Sequence, residues 1–147
     1  MHLFLDTNIL VDVVLRRVDS KGTPLWTTSA ILLDDIYKGR HKGSISILSL
    51  YIVAVLVNPR DTKAGDLFAR EKLRGLRSFL NAVNLTDKIV EESLRETRLR
   101  LEDSLQFISA RTAEAEAIVT RNVHHFSKVK SEIKLLTPEE AISESFL

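Results

Sequence analysis

The chain lacks several features that define whole classes of protein. It has no cysteine among its 147 residues, which excludes disulfides, a thiolate nucleophile and cysteine-based zinc sites. No apolar run approaches the roughly 20 residues that a membrane-spanning helix needs. The apolar N-terminus has no basic leader and is interrupted by Asp6, which is unlike a signal peptide. We therefore expect a cytoplasmic protein with no membrane partner.

The chain also lacks an excess of either charge. Its 21 lysines and arginines nearly balance its 20 aspartates and glutamates, and the formal net charge is +1. Global charge therefore neither supports nor excludes a nucleic-acid partner. Basic residues are concentrated at residues 70–77 and 95–100, where they could bind phosphate or form the solvated faces of amphipathic helices. The pattern alone favours solvated faces.

Short apolar segments alternate with longer helical patterns along the chain. Strands are predicted at residues 3–5, 44–47, 82–85, 117–120 and 133–136. Helices are predicted at residues 9–17, 25–38, 48–58, 61–80 and 99–113, with one more after Thr86 and a last one begun by Thr137, Pro138 and Glu140. This alternation is typical of an α/β fold, here a three-layer α/β/α sandwich around a mainly parallel sheet of four to five strands. The length predicts one domain over residues 1–147.

Several helical segments carry apolar side chains that we expect to be buried. Trp26 and Tyr37 recur at helical spacing in the second helix, which predicts core positions. The strongly apolar residues 48–56 predict a buried helix. In the two helices that follow, Phe68 and Leu94 are expected to face inward.

Asp6 is the first candidate functional residue. It follows the apolar strand at residues 3–5, and in open α/β sheets ligands bind in the crevice outside the carboxyl ends of the strands. Asp is also a good helix N-cap, and the apolar residues 9–11 could open a helix. The residue types alone leave both interpretations open.

Four motifs in order along the chain resemble the PIN domain family, and most of all the small prokaryotic PIN proteins that include the VapC-type toxins of toxin–antitoxin pairs. The motifs read LDTNILVD at residues 5–12, LEDSLQ at 101–106, AIVTRNVHHF at 117–126 and KLLTPEEAI at 134–142. The resemblance covers the whole chain, although residues 43–80 match by pattern only. It implies the PIN fold and a metal-dependent endoribonuclease, as the toxin of such a pair or a close relative.

The resemblance also implies which residues carry the chemistry. Asp6 and Asp103 match the family's metal-binding aspartates, and Asn122 matches the polar catalytic residue that follows the Val-Thr strand. The implied cofactor is Mg²⁺ or Mn²⁺, which prefer carboxylate and water oxygens. Such ions activate water for attack on phosphorus and stabilise the charge that develops.

Three further residues are implied in supporting roles. Asn8 matches the asparagine that supports the first aspartate by hydrogen bonding. Thr120 stands where a hydroxyl often lines the site. Glu102 could reach a metal through water, or could simply be an acidic residue near a helix N-terminus.

The chain departs from the family pattern at two places. No acid occurs at residues 48–54, where many PIN nucleases carry a glutamate, and His125 stands where an aspartate is often found. His124 and His125 could add imidazole ligands that favour Mn²⁺ or Zn²⁺, or form an ordinary loop pair. The alternative function is therefore a PIN-fold protein with a weakened metal site that binds RNA or a partner without cleavage.

The family resemblance implies three kinds of partner: an RNA substrate, an antitoxin protein and a second copy of the chain. Family antitoxins often insert a tail into the site, where a basic residue competes with the metal. The helices at residues 9–17 and 25–38 are the candidates for an exposed apolar patch, whereas the helix at residues 48–56 is expected to be core.

Overall fold

Five short strands form one parallel sheet in the computed structural model, which describes residues 1–145. The strands are β1 (His2–Leu5), β2 (Lys42–Ser46), β3 (Asn81–Val83), β4 (Ala117–Val119) and β5 (Lys134–Leu136). All four pairings are parallel, and the spatial order is β3-β2-β1-β4-β5. The last two residues of the predicted domain lie outside the described residues.

Helices connect the strands and cover both faces of the sheet. They are α1 (Thr7–Leu15), α2 (Trp26–Tyr37), α3 (Ile47–Val57), α4 (Lys63–Arg77), α5 (Asp87–Arg95), α6 (Leu101–Thr112) and α7 (Pro138–Glu144), and a 3₁₀ segment covers Val123–Val129. Thr137 begins α7 with the expected capping box. None of the helices within residues 1–145 is both long and apolar enough to cross a bilayer.

The sheet separates two apolar layers. Leu3 and Leu5 pack with residues of α1, α2, α3, α4 and α7 on one face, whereas Phe4 packs with residues of α5, α6 and the 3₁₀ segment on the other. This alternation follows from the two-residue period of a strand. The predicted α/β/α sandwich with a parallel sheet is therefore confirmed, and the sheet contains five strands.

The strand order creates a crevice beside β1. The chain starts at the centre of the sheet, moves outward through β2 to β3, and then returns to the other side of β1 to form β4 and β5. The connections from β1 and from β4 therefore leave in opposite directions. A crevice at such a switch point, outside the carboxyl ends of the strands, is the usual ligand site in open α/β sheets.

Several side chains that were expected in the core are exposed. Tyr37 is 68% exposed, Leu94 is 54% exposed and Phe68 is 40% exposed, and Trp26 is only half-buried. The expectation of a buried α3 is wrong for one side of that helix, where Tyr51 is 67% exposed. Because α3 is apolar all round and covers a single sheet face, it can bury only one of its sides.

Candidate metal centre

The sequence-predicted site residues meet in one cavity at the carboxyl ends of β1 and β4. This cavity, the candidate metal cavity, has a volume of about 240 Å³. Its lining includes five of the six candidates: Asp6, Asn8, Glu102, Asp103 and Asn122. The sixth candidate, Thr120, is fully buried, and its hydroxyl donates a hydrogen bond to Asp6. The fold thus brings together residues that are more than 110 positions apart in the chain.

Asp6 is both a helix cap and a wall of the cavity. It occupies the N-cap position of α1, where its Oδ1 accepts a hydrogen bond from the backbone N–H of Thr7 (2.8 Å), the first residue of the helix. Its Oδ2 accepts from the Thr120 hydroxyl (2.7 Å) and from Asn8 Nδ2 (3.2 Å). Gln106 Nε2 also lies 3.3 Å from Oδ1. The carboxylate is therefore fixed in one orientation, at the N-cap position of α1 and in the wall of the cavity.

Asp103 projects into the same cavity from the first turn of α6. Its side chain is nearly buried, and His125 Nδ1 lies 3.8 Å from Asp103 Oδ2. Burial raises the pKa of Asp103, and the charges of Asp6 and Glu102 raise it further, while His125 opposes them. Burial also raises the pKa of Asp6. The two carboxylates are thus desolvated and repel each other.

The residues present fit a hard divalent cation. Two buried amide oxygens at the site, Asn8 Oδ1 and Gln106 Oε1, have no hydrogen-bond partner among the described residues. A cation near Asp6 and Asp103 would relieve their repulsion and satisfy oxygen donors of the type that Mg²⁺ and Mn²⁺ prefer. Within residues 1–145, no group of three His, Asp or Glu side chains is arranged to hold a metal. Mg²⁺ sites often have only one or two carboxylates, with water and substrate phosphate completing the shell.

Part of the cavity wall is apolar. Ile52 and Leu56 of α3, together with Val11 of α1, line the cavity where an additional acid would have strengthened a metal site. Of the two histidines, His125 lines the cavity, whereas His124 is exposed and contacts the His125 ring edge-on with centroids 4.4 Å apart.

Sequence reasoning missed the polar residues that support Asp6. Gln106 Nε2 donates to the Thr7 hydroxyl (2.7 Å) and lies 3.3 Å from Ser49 Oγ, and the Thr7 and Ser49 hydroxyls are 2.7 Å apart. The available signal was the position of Gln106 three residues after Asp103, which places both on one face of α6.

A second missed cluster surrounds Asp12, whose side chain is completely buried in α1. Asp12 accepts from Arg17, Arg121 and Ser29. Arg121 also donates to the Leu25 carbonyl (2.6 Å). The cluster ties the end of β4 to α1 and α2, and the signal for it was a carboxylate in an otherwise apolar helical segment.

An apolar groove lies outside the metal cavity, between α1, α2 and α4. It encloses about 740 Å³ and is lined mainly by apolar side chains, among them Val14, Leu15, Trp26, Tyr37, Phe68 and Phe79. Arg16 and Lys72 lie at the groove and stack on Trp26 and Phe68 respectively. The exposed apolar patch expected on the first two helices is present as this groove.

Comparisons with known proteins identify the fold. No protein-family model matches the chain, and no curated protein matches it. Among solved structures, a chain of a toxin–antitoxin complex from Klebsiella pneumoniae superposes with a TM-score of 0.64 at 22% identity, over 92% of this chain and 97% of that one.

Two further solved structures are similar over most of the chain. VapBC-1 from nontypeable Haemophilus influenzae gives a TM-score of 0.66 at 12% identity, over 95% of this chain and 99% of that one. Mycobacterium tuberculosis VapC20, described as a Sarcin-Ricin loop cleaving toxin, gives 0.57 at 15% identity, over 79% and 86%. At these identities the likeness concerns the fold. The chain therefore has a VapC-like PIN-domain fold.

Proposed function

We propose that the protein is a metal-dependent endoribonuclease that serves as the toxin of a toxin–antitoxin pair. The observation that carries this proposal is the meeting of Asp6 and Asp103, two buried carboxylates with raised pKa values, with Asn8 and its unpartnered amide oxygen at the switch-point cavity. The RNA-cleaving activity named for the structurally similar VapC20 supports the same reaction class. Such an enzyme would act in the cytoplasm, where RNA is available.

In this proposal some residues bind the cation and others orient the carboxylate that binds it. A bound Mg²⁺ or Mn²⁺ supplies activation of water and neutralisation of charge at the phosphate. Asp6 and Asp103 hold the cation, while Asn8, Thr120 and Gln106 keep the Asp6 carboxylate in place by hydrogen bonding.

Two other lining residues act on the substrate side of the cavity. Asn122 follows β4, and its backbone N–H donates to the Thr120 hydroxyl (3.0 Å), so its amide side chain can position water or a phosphate oxygen. Glu102 is exposed beside Asp103 and can accept a hydrogen bond from a water in the cavity.

Substitution of Asp6 by Asn tests the proposed reaction. The variant keeps the shape of the side chain and a cap oxygen but loses the charge, so Mg²⁺- or Mn²⁺-dependent cleavage of RNA should fall by more than about 100-fold, beyond the range typical for supporting residues. Asp66→Asn on the exposed part of α4 is the matched control and should cleave normally. Equal cleavage by wild type and Asp6→Asn would contradict the assignment.

The apolar groove between α1, α2 and α4 is the proposed docking surface for the antitoxin. The solved structures with this fold include toxin–antitoxin complexes, and the cations Arg16 and Lys72 suit an amphipathic helix with acidic residues beside its apolar face. Trp26 is the only tryptophan. Its emission should shift when the antitoxin binds, and Phe68→Glu should abolish that shift. An unchanged affinity in Phe68→Glu would rule out this surface.

The apolar Ile52 in place of an acid favours one alternative, a PIN-fold module that binds RNA or a partner without cleavage. Calorimetric titration with Mg²⁺ and Mn²⁺ separates the two functions. Binding in the wild type that is lost in Asp103→Asn supports the enzyme. RNA binding without metal uptake at millimolar concentration, and without cleavage, supports the module.

A further inference from the structure

The metal cavity continues beyond its acidic end along α1. Asp6 caps the start of this helix, Val11 lies within it, and Arg17 follows its end, and all three line the same cavity. Ile52 and Leu56 of α3 form the facing wall. The cavity is therefore lined by carboxylates, by an apolar wall and, past the end of α1, by the cation Arg17, with Arg100 beside Glu102 and Asp103 in the chain.

Arg17 is held in place by the buried Asp12. Its Nε and Nη2 both donate to Asp12 Oδ1, at 3.0 and 2.8 Å. The other oxygen of Asp12 accepts from Arg121 and Ser29, so the negative charge of Asp12 is shared between two guanidinium groups. The Arg17 side chain remains 41% exposed, which leaves a pre-oriented cation that can act on an anion in the cavity.

The spacing along α1 suits a polynucleotide. Asp12 is six residues after Asp6, which corresponds to about 9 Å along the helix axis, and the Arg17 guanidinium is bonded at the level of Asp12. A nucleotide chain whose scissile phosphate lies at the carboxylates can therefore bring a neighbouring phosphate to Arg17, with an intervening base against the apolar wall.

We propose that Arg17 and the wall formed by Val11, Ile52 and Leu56 are a subsite for a nucleotide of single-stranded RNA next to the scissile phosphate. Arg17 binds the neighbouring phosphate, and the wall packs against the base and removes apolar surface from water. This inference rests on the proposed function, because it assumes that the metal end holds an RNA phosphate. It assigns a substrate-binding role to the position that lacks the expected acid.

Fluorescence anisotropy with a labelled single-stranded 2′-O-methyl oligonucleotide in Ca²⁺ tests the phosphate contact. In Arg17→Gln the slope of log K against log salt should become shallower by about 0.7, the value for one lost phosphate contact on a single strand. Arg17→Lys keeps the charge and should keep the slope. Arg70→Gln is the matched control, because Arg70 is also held by an aspartate but lines neither cavity.

An abasic oligonucleotide tests the wall. Loss of the base next to the scissile position should weaken wild-type binding about fivefold, at the lower end of base-stacking effects, and Ile52→Ser should show no such penalty. Leu56→Ser, at a 46% exposed position, repeats the test where folding is least affected.

The outcomes distinguish this inference from the proposed function. If Arg17→Gln matches Arg70→Gln in slope, or if Ile52→Ser and Leu56→Ser keep the full abasic penalty, the subsite is wrong even when the wild type cleaves RNA. If the binding pattern holds but the wild type never cleaves RNA with Mg²⁺ or Mn²⁺, the subsite stands and the nuclease assignment fails.

Discussion

At the scale of single residues, the candidate metal centre places two carboxylates where their desolvation and mutual repulsion cost stability. Asp103 is nearly buried beside Asp6, and no hydrogen bond among the described residues compensates its charge. A carboxyl whose pKa is raised by folding makes the folded state bind more protons than the unfolded chain. The contribution of Asp6 and Asp103 to the stability of the metal-free protein should therefore be largest below the ordinary aspartate pKa, and it should be lost as the pH rises through their raised pKa values.

Neutralising Asp103 should consequently stabilise the metal-free protein. We expect Asp103→Asn to raise Tm by roughly 2–4 °C in the absence of metal at neutral pH, which corresponds to about 1 kcal/mol in a domain of this size. The same variant should lose the increase in Tm that millimolar Mn²⁺ gives the wild type. Differential scanning calorimetry with and without metal measures both. A metal-free Tm below that of the wild type would contradict the proposed repulsion.

Ile52 marks the place where a third carboxylate would reach the metal. We expect Ile52→Glu to tighten Mn²⁺ binding roughly tenfold, because affinity for hard cations rises with the number of charged ligands. Calorimetric titration measures the effect. Val55→Glu on the exposed side of the same helix adds an equal charge outside the cavity and should leave the affinity near that of the wild type. Equal affinities in the two variants would show that Ile52 does not face the metal.

The position of Asp6 could be predicted from the sequence because it depends on local pattern. A short apolar run that ends in a carboxylate predicts a buried strand and places the carboxylate at the carboxyl end of that strand. The spacing of Gln106 after Asp103 indicated a shared face of α6 but not its partner, since the contact with Asp6 joins residues 100 positions apart and depends on how α6 packs against β1. Arg17 was missed because its orientation depends on its hydrogen bonds to Asp12, and the burial of Asp12 is visible only in the folded structure.

At the scale of elements, the starts of several helices could be predicted from the sequence, whereas the orientation of α3 could not. Thr62, Thr86 and Thr137 each accept a backbone N–H at a helix start, so those starts could be located from residue type. The orientation of α3 could not be predicted, because an apolar residue occurs on every side of it and no face is marked. Leu50 and Leu56 are the same residue type on this helix, yet Leu50 is buried and Leu56 is 46% exposed.

The start of α6, like that of α2, has no side-chain cap. Its N-cap is Arg100, which makes no side-chain cap bond and places a cation at the positive end of the helix. We expect Arg100→Ser to supply the missing cap and stabilise the protein by about 1 kcal/mol, measured as an increase in the denaturant midpoint. Thr86→Ala removes an existing cap and should lower the midpoint. A lower midpoint in Arg100→Ser would mean that Arg100 stabilises the fold through its contacts instead.

At the scale of the whole molecule, three surfaces have separate chemistry. The metal cavity opens at the carboxyl end of the sheet, the apolar groove lies between α1, α2 and α4, and a third surface is the outer side of α3. On α3, Tyr51 and Val55 are one turn apart and are 67% and 51% exposed. Such a pair forms a continuous apolar strip on the helix surface.

The outer side of α3 is where we expect the homodimer to form, since the groove on α1 and α2 suits an antitoxin. Val55→Glu would place a charge in the centre of a two-fold contact, where the same residue meets its own copy, and should convert a dimer to a monomer in sedimentation velocity. Leu94→Glu, at a 54% exposed apolar position of α5, is the matched control and should leave the dimer intact.

Because Ile52 and Leu56 of α3 line the metal cavity, a dimer through α3 would place the two cavities on either side of the interface. Loss of the dimer in Val55→Glu with metal binding intact would then separate assembly from catalysis, whereas a wild type that is monomeric at all concentrations would contradict the interface.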